Sequence, residues 1–212
     1  MIFLAMIVLG GMIGFLGAGG AGVPITLLTV GFGVPVHMAL AVSLASMTFT
    51  MISGTISHYL EQEVEVKPGM IIGGSGIFGS IAGASVSNLM PADILSVMTA
   101  VMLMVSGFIL YIRLYHDGWL SRHFPVRQTL LTGCKLYLYG AITGLIVGFL
   151  SSAFGIGAAA FIQIALMVVF GISLLRAIGT CMMIVLPISA AGGLSYLFNG
   201  RLDLLIFRPY TA

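Results

Sequence analysis

Apolar residues occur in long runs along this chain, and short polar segments separate the runs. Four of the runs are each long enough to cross a bilayer as a helix, which takes about 20 apolar residues. They occupy residues 38–57, 69–90, 92–115 and 177–198. Two further runs, residues 1–34 and 136–170, are too long for one crossing and too short for two. The pattern therefore predicts an all-α fold, a polytopic transmembrane helical bundle.

The first long run is interrupted in its middle by glycines and a proline. Glycine in a helix interior costs about 1 kcal/mol relative to alanine, and proline lacks the N–H that a continuing helix needs. The sequence predicts a half-helix, a Gly-rich break, and a second half-helix that begins near Pro24. Irregular backbone at membrane depth is tolerated only where protein or a water-filled cavity covers it, so the break is a candidate binding site. Its residues are Gly17, Gly19, Gly20, Gly22 and Pro24.

The second long run repeats the layout of the first. Glycines align in pairs at a constant offset of 138: Gly10 with Gly148, Gly17 with Gly155, Gly19 with Gly157, and Gly33 with Gly171. Broken helices at corresponding positions of internal repeats point to the binding site of a secondary transporter, so Gly155 and Gly157 join the candidate site. We predict a single transmembrane domain, residues 1–212, built from repeat one (1–135) and repeat two (136–212), each starting with a Gly-broken helix.

Repeat two is expected to be incomplete. Residues 204–209 align with residues 66–71, so repeat two ends where its third span would begin. A truncated or frameshifted end and a natural short form both produce this pattern, and the pattern favours the truncated end.

Hydroxyl side chains form a stripe on the predicted span at residues 38–57. Their spacing alternates between three and four residues, which puts them on one helix face; they are Ser43, Ser46, Thr50, Ser53 and Ser57. Such a stripe either lines an aqueous path or bonds backbone carbonyls and neighbouring helices. Ser43 and Ser46 are candidate substrate donors, as is Thr180 in the second half.

Composition agrees with a membrane protein. The chain is 59% hydrophobic and only 7% charged, whereas soluble domains carry about 25% charged residues. The expected location is the cell (plasma or inner) membrane, with a multi-pass topology and the lipid bilayer as surroundings. The net charge of +2 is small and is not carried on a basic soluble domain, which argues against a nucleic-acid partner.

Charged residues are missing from the interiors of the predicted spans. Proton relays in transporters usually need intramembrane carboxylates or histidines, so a carboxylate-based pump is poorly supported. Ser53 and His58 lie on one predicted helix, but no acidic partner accompanies them, and we predict no enzyme activity. No metal site and no cofactor are expected.

The backbone offers a way to bind an anion without a buried basic residue. The N–H groups that open the second half-helices, at residues 20–24 and 158–162, carry partial positive charge. Helix N-termini are ready anion sites. Because no buried cation would hold the anion permanently, it would be bound weakly enough to leave.

Charge also predicts orientation. Four of the eight Lys and Arg residues lie in 113–135, which the positive-inside rule assigns to the cytoplasm. Two spans separate this segment from residues 58–67, so both should face the same side. If each broken element crosses the membrane once, the repeats are parallel; if it is a re-entrant hairpin, they are inverted. The sequence leaves both arrangements open.

Three features together resemble the sulfite exporter TauE/SafE family, also called the toluene-sulfonate uptake permeases. They are the Gly-rich motif that ends at Pro24, the Ala39-x-Ala41-Val-Ser43-Leu start of the next span, and the 138-residue repeat. The family's Ala-Thr-Ser signature corresponds to Ala41-Val42-Ser43, with valine in place of threonine. The resemblance implies transport of sulfite, sulfonates or related sulfur-containing organic anions.

The leading hypothesis is therefore a secondary transporter, a permease or exporter, of small anions that bind between the two breaks near the bilayer midplane. The alternative is a structural or assembly subunit of a membrane complex, or a non-functional truncated fragment. The expected partner is the small anionic substrate, and the sequence leaves a homo-oligomer open.

Overall fold

The computed structural model describes residues 22–115, 134–155 and 159–198, and all regular structure in these ranges is helical. We number the seven described helices in chain order. They are α1 (Gly22–Thr26, continued by a π-helical turn, Leu27–Gly31), α2 (Val36–Leu60), α3 (Val66–Leu89), α4 (Ala92–Tyr115), α5 (Cys134–Phe154), α6 (Ala159–Val168) and α7 (Leu174–Phe198).

Four helices are long and apolar enough to cross a membrane: Val36–Leu60, Val66–Leu89, Leu136–Phe154 and Leu175–Tyr196. This confirms the predicted all-helical membrane bundle. The start of α3 differs from the sequence prediction: α3 begins at Val66, ahead of Pro68, because proline is tolerated in the first turn of a helix. α4 begins at Ala92, as predicted, with Asp93 inside its first turn.

α3 and α5 pack through their backbones, because glycines on each helix face the other. A Cβ atom on Gly148 would overlap the backbone of Gly76, and one on Gly83 would overlap the carbonyl of Phe149. Small residues allow this close approach of membrane helices. The contacts follow the same order along both helices, since Gly140 lies beside Ile71 nearer the start of each helix. α3 and α5 are therefore parallel.

α7 runs parallel to α3 and antiparallel to α2. Towards the start of α7, Arg176 Nη1 lies 3.0 Å from Glu65 Oε1, just ahead of α3. Against α2 the order is reversed: Gly193 lies beside Ala45, and the Thr48 hydroxyl donates to Ser189 Oγ at 3.1 Å. Buried leucines and isoleucines of α2, α6 and α7 fill the core beside these contacts.

α3, α5 and α7 consequently all begin at the same end of the bundle, which we call the loop end because it holds residues 61–65. The chain between the start of α5 and the start of α7 must therefore enter the bundle from the loop end and return to it. For the second half, this path is the re-entrant one of the two that the sequence leaves open.

The internal repeat stays a prediction, with several equal offsets in its favour. α2 and α7 have 25 residues each, begin 138 positions apart and run antiparallel, as inverted repeats require. Gly33 and Gly171 both have positive φ, 65° and 69°. Beside these glycines, the Val34 N–H donates to the Leu28 carbonyl and the Ile172 N–H to the Leu166 carbonyl, each at 3.0 Å.

Replacing Gly148 with alanine is expected to lower the free energy of unfolding by about 1–3 kcal/mol or more. The added methyl group would overlap the Gly76 backbone, which cannot rotate away as a side chain can. Denaturant titration of the purified protein in detergent measures the change.

Gly74 provides the matched control on the partner helix α3, since a Cβ there meets nothing within 4 Å. Gly74→Ala should be neutral or stabilising, because alanine favours a helix over glycine by about 1 kcal/mol. Equal stability of the two variants would contradict the close packing of α3 on α5.

Candidate functional site

The end of α5 lies in the core, against the first two described helices. α5 ends at Phe154, and Gly155 follows with φ of 65°, a left-handed conformation that glycine adopts without strain. A Cβ atom on Gly155 would lie 2.6 Å from Ile25 Cδ1 and would overlap the Leu40 side chain. Gly155 is therefore required both by its backbone conformation and by its neighbours.

The first turn of α6 lies against α7, below the loop end. The thiol of Cys181 donates to the carbonyl of Ala159 at 3.5 Å, and Cys181 lies about two turns into α7. α6 therefore begins inside the bundle. Gly157 lies outside the described residues, so the predicted break between α5 and α6 stays a prediction.

Ser43 is the candidate residue whose buried hydroxyl lacks a hydrogen-bond partner in the described part of the chain. It is 1% exposed, and its hydroxyl has no hydrogen-bond partner among the residues that the structure describes. A buried hydroxyl without a partner costs about 1–3 kcal/mol, so a ligand that bonded it would recover that cost. Ser43 precedes Cys181 by 138 positions, and Cys181 is the residue that contacts the first turn of α6.

The other hydroxyls of the α2 stripe are differently placed. The Ser46 hydroxyl donates to the Ser43 carbonyl at 3.0 Å, and the Thr50 hydroxyl donates to the Ser46 carbonyl at 3.2 Å. Ser53 and Ser57 are exposed. Back-bonding of this kind satisfies a hydroxyl within its own helix, so within this stripe Ser43 is the buried member whose hydroxyl has no described partner.

Thr180 has a contact that the sequence does not predict. Its Oγ1 accepts a hydrogen bond from the Glu65 N–H at 2.9 Å, across 115 positions of the chain. Thr180 is completely buried. The contact joins α7 to the residue that precedes α3. The role of Thr180 as a substrate donor stays a prediction.

Most of the first Gly-rich motif cannot be placed. Gly17, Gly19 and Gly20 lie outside the described residues. Gly22 is the first residue of α1, and Pro24, in the same short helix, is half-buried.

Sequence reasoning missed a buried polar cluster that joins α3, α5 and α7. The Ser80 and Ser152 hydroxyl oxygens lie 2.6 Å apart, and the Ser80 hydroxyl donates to the Ile188 carbonyl at 2.7 Å. The Tyr196 hydroxyl donates to the Ser152 carbonyl at 2.9 Å. Ser80 belongs to a stripe of small residues that indicates helix packing, but only the packing of three distant helices brings these residues together.

Gln163 is a second buried polar residue that the sequence analysis passed over. It lies in the short helix α6 and is 3% exposed. An amide inside an apolar run of a predicted membrane segment is the signal that could have marked it.

A cavity of about 460 Å³ lies at the loop end, away from Ser43. It is lined by Glu63, Glu65, Gly171, Ile172, Ser173, Leu175 and Arg176. The Glu65 carboxylate lies 3.0 Å from the Arg176 guanidinium there. The described part of the chain contains no group of three or more His, Cys, Asp or Glu residues that could hold a metal ion.

Comparison with known proteins adds the family. The family model for the sulfite exporter TauE/SafE matches residues 2–212. The chain is 42% identical over 206 residues to the probable membrane transporter protein YdhB of Bacillus subtilis (strain 168), covering 97% of this chain and 82% of that protein. It is 28% identical over 177 residues to the probable membrane transporter protein YunE of the same organism, covering 80% of this chain and 64% of that protein.

No solved structure matches the chain. The family match nevertheless spans almost the whole sequence, and the fold contains four helices that can cross a membrane. The chain therefore belongs to the TauE/SafE family of membrane transporters.

Proposed function

We propose that this transporter moves small anions, namely sulfite, sulfonates or related sulfur-containing organic anions, and binds them beside the Gly-rich breaks near the bilayer midplane. The observation that carries the proposal is the buried Ser43 hydroxyl, which has no partner among the described residues. A sulfonate or sulfite oxygen is a hydrogen-bond acceptor of the kind that this hydroxyl lacks.

The N-terminus of α6 supports an anion rather than a cation. The first N–H groups of a helix have no partner within it and carry partial positive charge. α6 begins at Ala159, beside Cys181 and about two turns inside the loop end. In a site that excludes water, the attraction between these dipoles and an anion is much stronger than at a surface.

The placement of the cations in three of the described helices favours transport over permanent binding. Lys67, Lys135 and Arg176 each lie in the first turn of a helix that starts at the loop end. None lies in the middle of a span, where it would pair permanently with an anion. Hydroxyls and backbone N–H groups bind more weakly, which allows release.

The same three cations suggest the direction of the driving force. The positive-inside rule assigns the loop end to the cytoplasm. The membrane potential is worth about 2.3 kcal/mol per charge per 100 mV, and a negative interior therefore favours export of an anion without a coupling ion.

Flux into proteoliposomes tests the proposed function. The purified protein should transport sulfite or sulfoacetate with saturable kinetics, and a positive-inside potential should accelerate uptake of the anion. Taurine, which carries no net charge at neutral pH, tests whether net charge is needed. A correctly folded protein that moves none of the three would overturn the proposed substrates.

Ser43→Ala is expected to reduce apparent substrate affinity about 10- to 100-fold, because a hydrogen bond to a charged group contributes about 1.5–3 kcal/mol. The variant should be at least as stable as the parent, since it removes a buried hydroxyl without a described partner. Initial rates at a series of sulfoacetate concentrations give the affinity.

Ser85→Ala is the control, because the exposed Ser85 hydroxyl donates to the Ile81 carbonyl of its own helix at 2.9 Å. It should transport like the parent. Parent-like affinity in Ser43→Ala would remove the central residue from the proposed site.

Gly155→Ala is expected to abolish most transport while the protein still inserts in the membrane. The methyl group would displace Leu40 and Ile25 from the end of α5. Gly33→Ala separates this displacement from backbone strain, because Gly33 also has φ of 65° but a Cβ there meets nothing within 4 Å. Flux lost equally in both variants would show that backbone strain alone explains the loss.

A further inference from the structure

The loop between α2 and α3 contacts the first two turns of α7. Glu65 makes two of the contacts: its Oε1 lies 3.0 Å from Arg176 Nη1, and its N–H donates to Thr180 Oγ1 at 2.9 Å. Between these two residues of α7, a Cβ atom on Gly179 would overlap the Glu63 carbonyl. An ion pair, a hydrogen bond and a backbone contact therefore act on one short stretch of α7.

The loop itself is fixed to the end of α2. The Gln62 N–H donates to the Tyr59 carbonyl at 3.1 Å and the Glu63 N–H to the His58 carbonyl at 3.0 Å. Gln62 has φ of 59°, the left-handed conformation that commonly ends a helix. α7 is thus held against a structured helix end.

The α2 residues at the corresponding positions cannot make these contacts. The residues that precede Arg176, Gly179 and Thr180 by 138 positions are Met38, Ala41 and Val42. Methionine carries no charge, and the valine side chain has no hydrogen-bond acceptor. Alanine has a Cβ atom, which at the position of Gly179 would overlap the Glu63 carbonyl. The three contacts therefore have no counterpart on α2.

From these contacts we propose that Glu65, Arg176 and Thr180 form a latch that holds the transporter closed at the loop end and must open during each transport cycle. The loop-end cavity of about 460 Å³ lies at the latch and is lined also by Gly171, Ile172 and Ser173, which link α6 to α7. Moving the start of α7 away from the loop would open a route from this cavity towards Cys181 and the first turn of α6. The inference rests on the proposed function, because the latch acts only during transport. Whether the loop end is closed can nevertheless be measured without any substrate.

The latch is weak enough to open in a working transporter. The Arg176 side chain is 51% exposed and that of Glu65 is 29% exposed, so solvent screens their attraction. Such an ion pair together with one neutral hydrogen bond changes an equilibrium on the order of tenfold. A preference of that size biases the closed state without trapping it.

The native Cys181 thiol provides the reporter, because it is 2% exposed and follows Thr180 directly. In a Cys134→Ser background, N-ethylmaleimide is added to purified protein in detergent and the rate of Cys181 alkylation is measured. The double variant Arg176→Met, Thr180→Val carries the residues found at the corresponding α2 positions. It should react on the order of tenfold faster than the parent.

Three controls separate a latch from general loosening of the fold. Lys67→Met removes an exposed cation at the same end and should react at the parent rate. Thr180→Ser keeps the acceptor and should also match the parent. The exchange Glu65→Arg with Arg176→Glu should react more slowly than Arg176→Glu alone, because it restores an ion pair.

Parent-like alkylation in the double variant, or no recovery in the charge exchange, would overturn the latch. Neither result depends on transport, so the proposed function would remain. Conversely, absence of flux for every tested anion would remove the proposed function and leave the alkylation result standing.

Discussion

The backbone contact between α3 and α5 is the constraint on which the rest of the architecture depends. Because Gly148 lies on the Gly76 backbone and the two helices run parallel, α5 must start at the same end of the bundle as α3. α7 starts there as well, through the contact of Arg176 with Glu65. The intervening chain therefore has to return, and α6 begins inside the bundle, beside Cys181.

Much of the helical layout could be predicted from the sequence, because uncharged runs of sufficient length have few alternatives in a bilayer. The boundaries of α2 and α7 follow from such runs. The stripe on α2 was predicted from spacing, but spacing cannot tell which member is buried. Ser43 is buried while Ser53 is exposed, and that difference depends on how α7 and other distant elements pack against α2.

The contacts that could not be predicted are those between residues far apart in the chain. Thr180 is predicted as a substrate donor, and the sequence does not indicate that its oxygen accepts the Glu65 N–H across 115 positions. Ser80 and Ser152 meet only because α3 and α5 approach closely. In the proposals made above, charged residues close the loop end and neutral groups bind the anion.

An experimental structure with bound sulfoacetate tests the central claim most directly, because it can distinguish the neutral site from the charged end. The proposed site predicts a sulfonate oxygen within hydrogen-bond distance, about 3 Å, of Ser43 Oγ. An anion bound instead to Arg176 in the loop-end cavity, with Ser43 untouched, would contradict it.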